Sequence, residues 1–270
     1  MKNIFKNIIM VTIVYSCVFT KEIDDPTLYN GDRLIVQGYV SPQDGAWVVV
    51  KKTLPPNRLN DDDRVAHAVV TVYEDNTPVA VLNRIDDYLY ESDASFVPEE
   101  GKRYSVQVKA DNMTEVYSAA QPIFSATPVD SFKIFIFDKN PDFRYLIAYF
   151  THDHPTCDAY YLKTIFYRDG VNSDLRFSQF FYAFGLIDHV VHGVNSVERQ
   201  IEYVDFDSTR IELYTLSPDL KKFLESQQKY SSNEDMPFFE QPHPVFDNIR
   251  GGFGIFSSYS VCRKKITERR

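Results

Sequence analysis

The chain has little of what a disulfide scaffold, a nucleic-acid binder or a membrane-spanning protein needs. Three cysteines in 270 residues are too few for a disulfide framework. One tryptophan, four methionines and ten glycines are also sparse. No nucleophile elbow, phosphate-cradling loop or His-Glu-x-x-His motif occurs. Basic residues are outnumbered, 29 against 38 acidic, for a net charge of −9. Such a chain repels phosphate backbones, so no nucleic-acid partner is expected. No apolar run approaches the ~20 residues of a spanning helix. No cofactor is expected either.

What is present begins at the N-terminus. Lys2 and Lys6 precede an apolar run from Ile8 to Val14, and Tyr15-Ser16-Cys17 follows. This is the basic, apolar, small-residue order of a secretory signal. Val14 and Ser16 ahead of Cys17 resemble a bacterial lipobox, with residues 1–16 as signal peptide and Cys17 as the lipidated residue. Each buried acyl methylene contributes ~0.8 kcal/mol, so two or three chains anchor a protein permanently. Residues 17–30 then read as a lipid-anchored tether, reaching at most ~3.5 Å per residue. Export implies an oxidising compartment. Cys157 and Cys262 are read as two separate thiols, because spacing alone brings no two Cα atoms together.

From Leu34 the pattern is that of strands. Short alternating runs lie at 34–40, 47–51, 68–73, 78–82, 88–90, 104–109 and 114–119, parted by turn residues such as Asp44-Gly45 and Glu74-Asp75-Asn76. About seven strands in ~95 residues is the rhythm of an immunoglobulin-like β-sandwich, placed at 31–124. Residues 125–270 read as a second β-rich domain with one short helix. Ser217 fits a helix N-cap and Pro218 its first position. Leu220, Phe223 and Leu224 then share a face. Tyr230 to Pro244 reads as a long loop. The fold expected is mainly β.

Three stretches together resemble a known family. They are Leu34-Ile35-Val36-Gln37-Gly38-Tyr39-Val40-Ser41-Pro42, the Pro98–Val108 strand entry, and Leu213 to Pro218 with the run Asn248-Ile249-Arg250-Gly251-Gly252-Phe253-Gly254-Ile255-Phe256. These resemble the DUF4249 lipoproteins of the phylum Bacteroidota. The resemblance implies an outer-membrane, lipid-anchored protein, facing the cell surface if Glu22, Asp24 and Asp25 act as an export signal. It implies a non-catalytic accessory of a SusC-like TonB-dependent receptor in nutrient uptake, with that receptor as partner and a small nutrient as a further ligand. The competing classes are a lipid-anchored hydrolase of sugars or peptides and an adhesin-like surface protein.

Candidate chemistry is thin. His152, His154 and Cys157 form the densest group of potential metal ligands, but Pro155 makes a turn the simpler reading. His189 and His192 have helical ligand spacing among valines that favour strand. No pair of carboxylates stands out, so no catalytic residue is assigned. The aromatic run Phe177 to Phe184 reads first as core packing. In the long loop, Phe238 and Phe239 sit beside prolines that lower the entropy lost on docking, and they are the candidate partner-binding residues.

Overall fold

A computed structural model describes residues 31–55, 58, 61–137, 140–152, 157, 159–167, 186–187, 193–202, 208–233 and 244–267. Cys17, His154, His189, His192, Phe177 to Phe184, Phe238 and Phe239 lie outside the described residues.

The first half of the chain makes β1 (Leu34–Ser41), β2 (Gly45–Lys52), β3 (Ala68–Glu74), β4 (Thr77–Val81), β5 (Asn83–Arg84), β6 (Leu89–Glu91), β7 (Arg103–Ala110), β8 (Val116–Ser118) and β9 (Gln121–Pro122). Alternation decides these elements. Leu34, Val36, Gly38 and Val40 of β1 are buried, as are Ala46, Val48 and Val50 of β2, while Ile35, Gln37, Tyr39, Trp47 and Val49 between them are not fully covered. The β3–β4 hairpin turns on Asp75 and Asn76, both with positive φ (45° and 72°), the twist a two-residue hairpin loop demands.

The second half makes β10 (Val129–Phe137), β11 (Asn140–His152), β12 (Tyr160–Tyr167), β13 (Leu186–Ile187), β14 (Gly193–Glu202), β15 (Ser208–Leu216), α1 (Pro218–Asn233), β16 (Ile249–Arg250) and β17 (Phe253–Thr267). The protein is mainly β, as its sequence predicts, with α1 the single helix among the described residues. That helix is not long and apolar enough to cross a membrane.

One sheet is the spine. Its eight strands run in the order β13-β12-β15-β17-β1-β2-β6-β5. A second sheet, β16-β8-β7-β3-β4 with β9 beside β7, packs on the β1–β2 part and encloses a core of Val36, Val48, Val70, Val108 and Phe256 among others. A third sheet, β10-β11-β14, supplies Val129, Ala148 and Phe150 to a core shared with Tyr160, Leu162, Ile211 and Leu213 of the spine. Helix α1 covers part of the opposite face of the spine through Leu220 and Phe223, with Leu216 and Ile255.

Segment 31–124 does not fill its own core. Ile249 and Phe256 belong to that core, and β1 lies parallel to β17 with Val36 opposite Gly254 and Val40 opposite Ser258. β17 continues antiparallel to β15, from Tyr259 opposite Leu216 to Thr267 opposite Ser208. A single strand thus serves both halves. Periodicity shows that such a strand exists but not where it inserts.

Two local features differ from the sequence reading. Ser217 begins the helix, its carbonyl accepting from Lys221 N–H, yet its hydroxyl meets Ser257 Oγ at 2.6 Å and accepts from Ser258 N–H. A neighbouring strand outcompetes the helix amides for that oxygen. The expected loop from Tyr230 also starts later, since α1 continues to Asn233.

Candidate functional site

The Asn248–Phe256 signature builds a seam. Backbone groups of Gly254, Phe256 and Ser258 point away from β1, toward an edge that β15 has not yet reached. Asn248 supplies what a neighbouring strand would. Its N–H donates to the Gly254 carbonyl at 3.1 Å, Oδ1 accepts from Phe256 N–H at 3.0 Å, and Nδ2 donates to the Phe256 carbonyl at 3.0 Å. The side-chain carboxamide imitates a peptide unit, so buried backbone groups keep their partners. Ser217 N–H then donates to the Ser258 carbonyl. On the other edge, where β1 ends, Gln43 Oε1 accepts from Val261 N–H at 3.1 Å. Two carboxamides on opposite edges complete one strand.

Asn248 is itself held from the helix. Asp219 Oδ2 accepts from Asn248 Nδ2 at 3.0 Å and from Gln121 Nε2 at 2.7 Å. Ser258 and Ser260 hydroxyls donate to the Pro122 and Phe124 carbonyls, each at 2.5 Å. The segment joining the halves is thereby fastened to β17.

The glycines of the signature serve close approach. A Cβ on Gly254, whose φ is +115°, would overlap the Val36 carbonyl oxygen, and one on Gly252 would overlap that of Leu34. No helix follows these glycines, only β17, so the run holds backbone against backbone and not a phosphate.

The face of the spine that carries α1 holds the richest side-chain chemistry among the described residues. Glu212, 2 % exposed, lies opposite Lys163 on β12 and Arg263 on β17. Its Oε1 accepts from Arg263 Nε at 3.3 Å and forms an ion pair with Arg210 Nε at 2.8 Å, its Oε2 accepts from Tyr214 Oη at 2.6 Å, and Lys163 Nζ stands 3.8 Å away. Arg263 Nη2 also donates to both oxygens of Asp44, at 2.8 and 2.7 Å, charge-assisted bonds from a single nitrogen. Beside this row, rings cross five strands: Tyr161–Tyr214 at 5.9 Å, Tyr214–Tyr259 at 5.2 Å, Tyr259–Tyr39 at 6.1 Å and Tyr39–Trp47 at 4.8 Å between centroids. Burial, and then Glu212, push the Tyr214 phenol well above its ordinary pKa. Burial, and then Asp44, do the same for Tyr259. Both hydroxyls stay protonated and donate.

Chemically, this face can hold a structure or a ligand by stacking and hydrogen bonds. Glu212 and Asp44 already accept from Arg263, so their oxygens are committed within the sheet. The row was not legible in the sequence: its members sit at 44, 163, 212 and 263, and only strand register brings them together.

Of the sequence-predicted metal group, His152 and Cys157 lie among the described residues and His154 does not. His152 ends β11, 9 % exposed, with Nδ1 at 2.7 Å from Tyr160 Oη. Thr127 Oγ1 donates to the same hydroxyl at 3.2 Å, so Tyr160 Oη bridges Thr127 and His152. Cys157 is buried, its Sγ against the carbonyls of Ala159 at 3.4 Å and Leu216 at 3.8 Å. No group of three or more His, Cys, Asp or Glu side chains suited to a metal occurs among the described residues. Cys157 and Cys262 are both thiols and join the same apolar cluster.

A three-sheet β protein closed by a glycine-rich seam is the class that these elements define. The family model described as Domain of unknown function (DUF4249) matches residues 19–265, nearly the whole chain, and the protein belongs to that family. No curated protein matches the chain.

Proposed function

We propose that the protein is an outer-membrane lipoprotein, anchored through acyl chains on Cys17 and facing the cell surface, that assists a SusC-like TonB-dependent receptor in nutrient capture without catalysing a reaction. The observation that carries this reading is the order at the N-terminus. A basic and apolar leader stops at Val14-Tyr15-Ser16-Cys17, and the family match takes up at residue 19, so the leader ends where the family's body begins. Membership of the family supports the accessory role. The commitment of Glu212 and Asp44 to Arg263 supports a binding rather than a catalytic body. Phe238 and Phe239 are the partner contacts in this reading.

Fractionation of cells making the Cys17→Ala variant tests the anchor. The variant is expected in soluble fractions, and a variant as firmly membrane-bound as the wild type overturns the reading. Pull-down from solubilised outer membrane tests the partnership. A TonB-dependent receptor is expected with the wild type and is lost, at unchanged melting temperature, with Phe238→Ser/Phe239→Ser. Absence of any such receptor from the wild-type pull-down rejects the accessory role.

A further inference from the structure

One short stretch of chain enters every apolar core described. Ile249 and Phe256 complete the first, Cys262 packs against the second, and Ile255 with Tyr259 serve the third. The same stretch is the middle of the spine, with β1 on one edge and β15 on the other. Its hydrogen bonds are satisfied only when both neighbours are in place, because Asn248 and Gln43 finish the edges that the flanking strands leave open. The segment linking the halves is bound to it as well, through Ser258 on Pro122 and Ser260 on Phe124.

We propose that residues 248–267 are a keystone that makes the two halves one cooperative unit, so that opening the β1–β17 seam unfolds the distant half too. Three physical reasons converge. Removing β17 from β1 uncovers Phe256, which is 0 % exposed, and leaves buried backbone groups unpaired. The register with β1 ends at Ser258 and the register with β15 begins at the next residue, Tyr259, so a separation of β17 from β1 reaches the start of its pairing with β15. Contacts such as Gln43 with Val261 span 218 residues, and pairings so distant close late in folding. Anything that binds the native form of one half therefore protects both.

Two native probes report the halves separately. Trp47, the sole tryptophan, lies on β2 in the first half. Cys157, 2 % exposed, lies in the core of the second. The full chain is taken through a denaturant series, following Trp47 emission together with maleimide uptake at Cys157, the latter read by peptide mass so that other cysteines do not count. The expected result is one midpoint for both probes, with Gly254→Ala moving both by the same amount of denaturant. Val36→Ala, a gentler change at the same seam, gives a common shift if the glycine variant does not fold. Cys157 staying protected after Trp47 has reached its unfolded emission overturns the proposal. So does a seam variant that shifts Trp47 and leaves Cys157 unmoved.

Discussion

Three glycines separate two costs that a single mutant would confound. Gly101 has φ +81° and open space around its missing Cβ, so Gly101→Ala incurs backbone strain alone, about 1 kcal/mol. Gly252 has no left-handed φ, but a Cβ there would overlap the Leu34 carbonyl and lie 2.9 Å from Val116 Cγ1, so its alanine variant incurs contact alone. Gly254 combines both: φ +115° and overlap with the carbonyl oxygen of Val36, a backbone atom that cannot swing aside as a flexible side chain could. Strain of ~1–3 kcal/mol at such a φ adds to displacement of β17 from β1, for a total of about 4 kcal/mol. A protein of this size loses roughly 2–4 °C of Tm per kcal/mol. Gly254→Ala should then melt roughly 8–16 °C below the wild type, and Gly101→Ala by at most about 4 °C. Thermal unfolding followed by circular dichroism decides. A Gly254→Ala protein no less stable than Gly101→Ala would refute the claim that the seam needs backbone-to-backbone approach.

Asn248→Ala leaves the N–H and carbonyl of Phe256 without their carboxamide partner and should cost about 2–4 kcal/mol, read from the urea midpoint; a loss below about 1 kcal/mol would mean that water substitutes freely. Residues 31–124 expressed alone lack Ile249, Phe256 and the parallel neighbour of β1 and should show poor amide dispersion in NMR; a well-dispersed spectrum would show that this segment closes without the seam. Acid should destabilise the protein in a defined window. A hydrogen bond from Arg64 holds Asp62 at about 2. The Lys51 ammonium lowers Asp63, the Tyr104 hydroxyl lowers Glu74, and backbone amides of Tyr88 and Leu89 lower Asp86. Carboxylates depressed in the folded state stabilise fully above their unfolded pKa of ~4, and lose that contribution as pH falls through the folded value. Tm should be flat from pH 7 to about 5 and fall between pH 4 and about 2, and a steep fall already complete at pH 5 would assign acid sensitivity elsewhere.

Strands were the legible part of the sequence because burial on one face writes period-two alternation into residues such as 34–40 and 104–109. The helix was legible from Pro218 and the Leu220, Phe223, Leu224 face. What stayed hidden was every relation set by register across long separations. Glu212 looks like any exposed acid within Thr209-Arg210-Ile211-Glu212, and only pairing with Lys163 and Arg263 makes it a buried hub. Asn248 and Gln43 look like loop polar residues, and their service as substitute peptide units depends on a strand edge that local sequence does not encode. The serine hydroxyl at 217 followed the same logic, going to β17 rather than to its own helix.

The parallel pairing of β1 with β17 has a mechanical side. The chain enters its described part at β1, which is not an outer strand but an inner one, flanked by β2 along Leu34–Ser41 and by β17 along Ile35–Val40. A pull on residue 31 along the strand axis loads the hydrogen bonds on both flanks together, in shear, where a strand peeled from a sheet edge would yield them one after another. β17 carries that load onward into β15. Force entering at residue 31 is thus shared across the spine, and β1 resists being drawn out of the sheet from its N-terminal end.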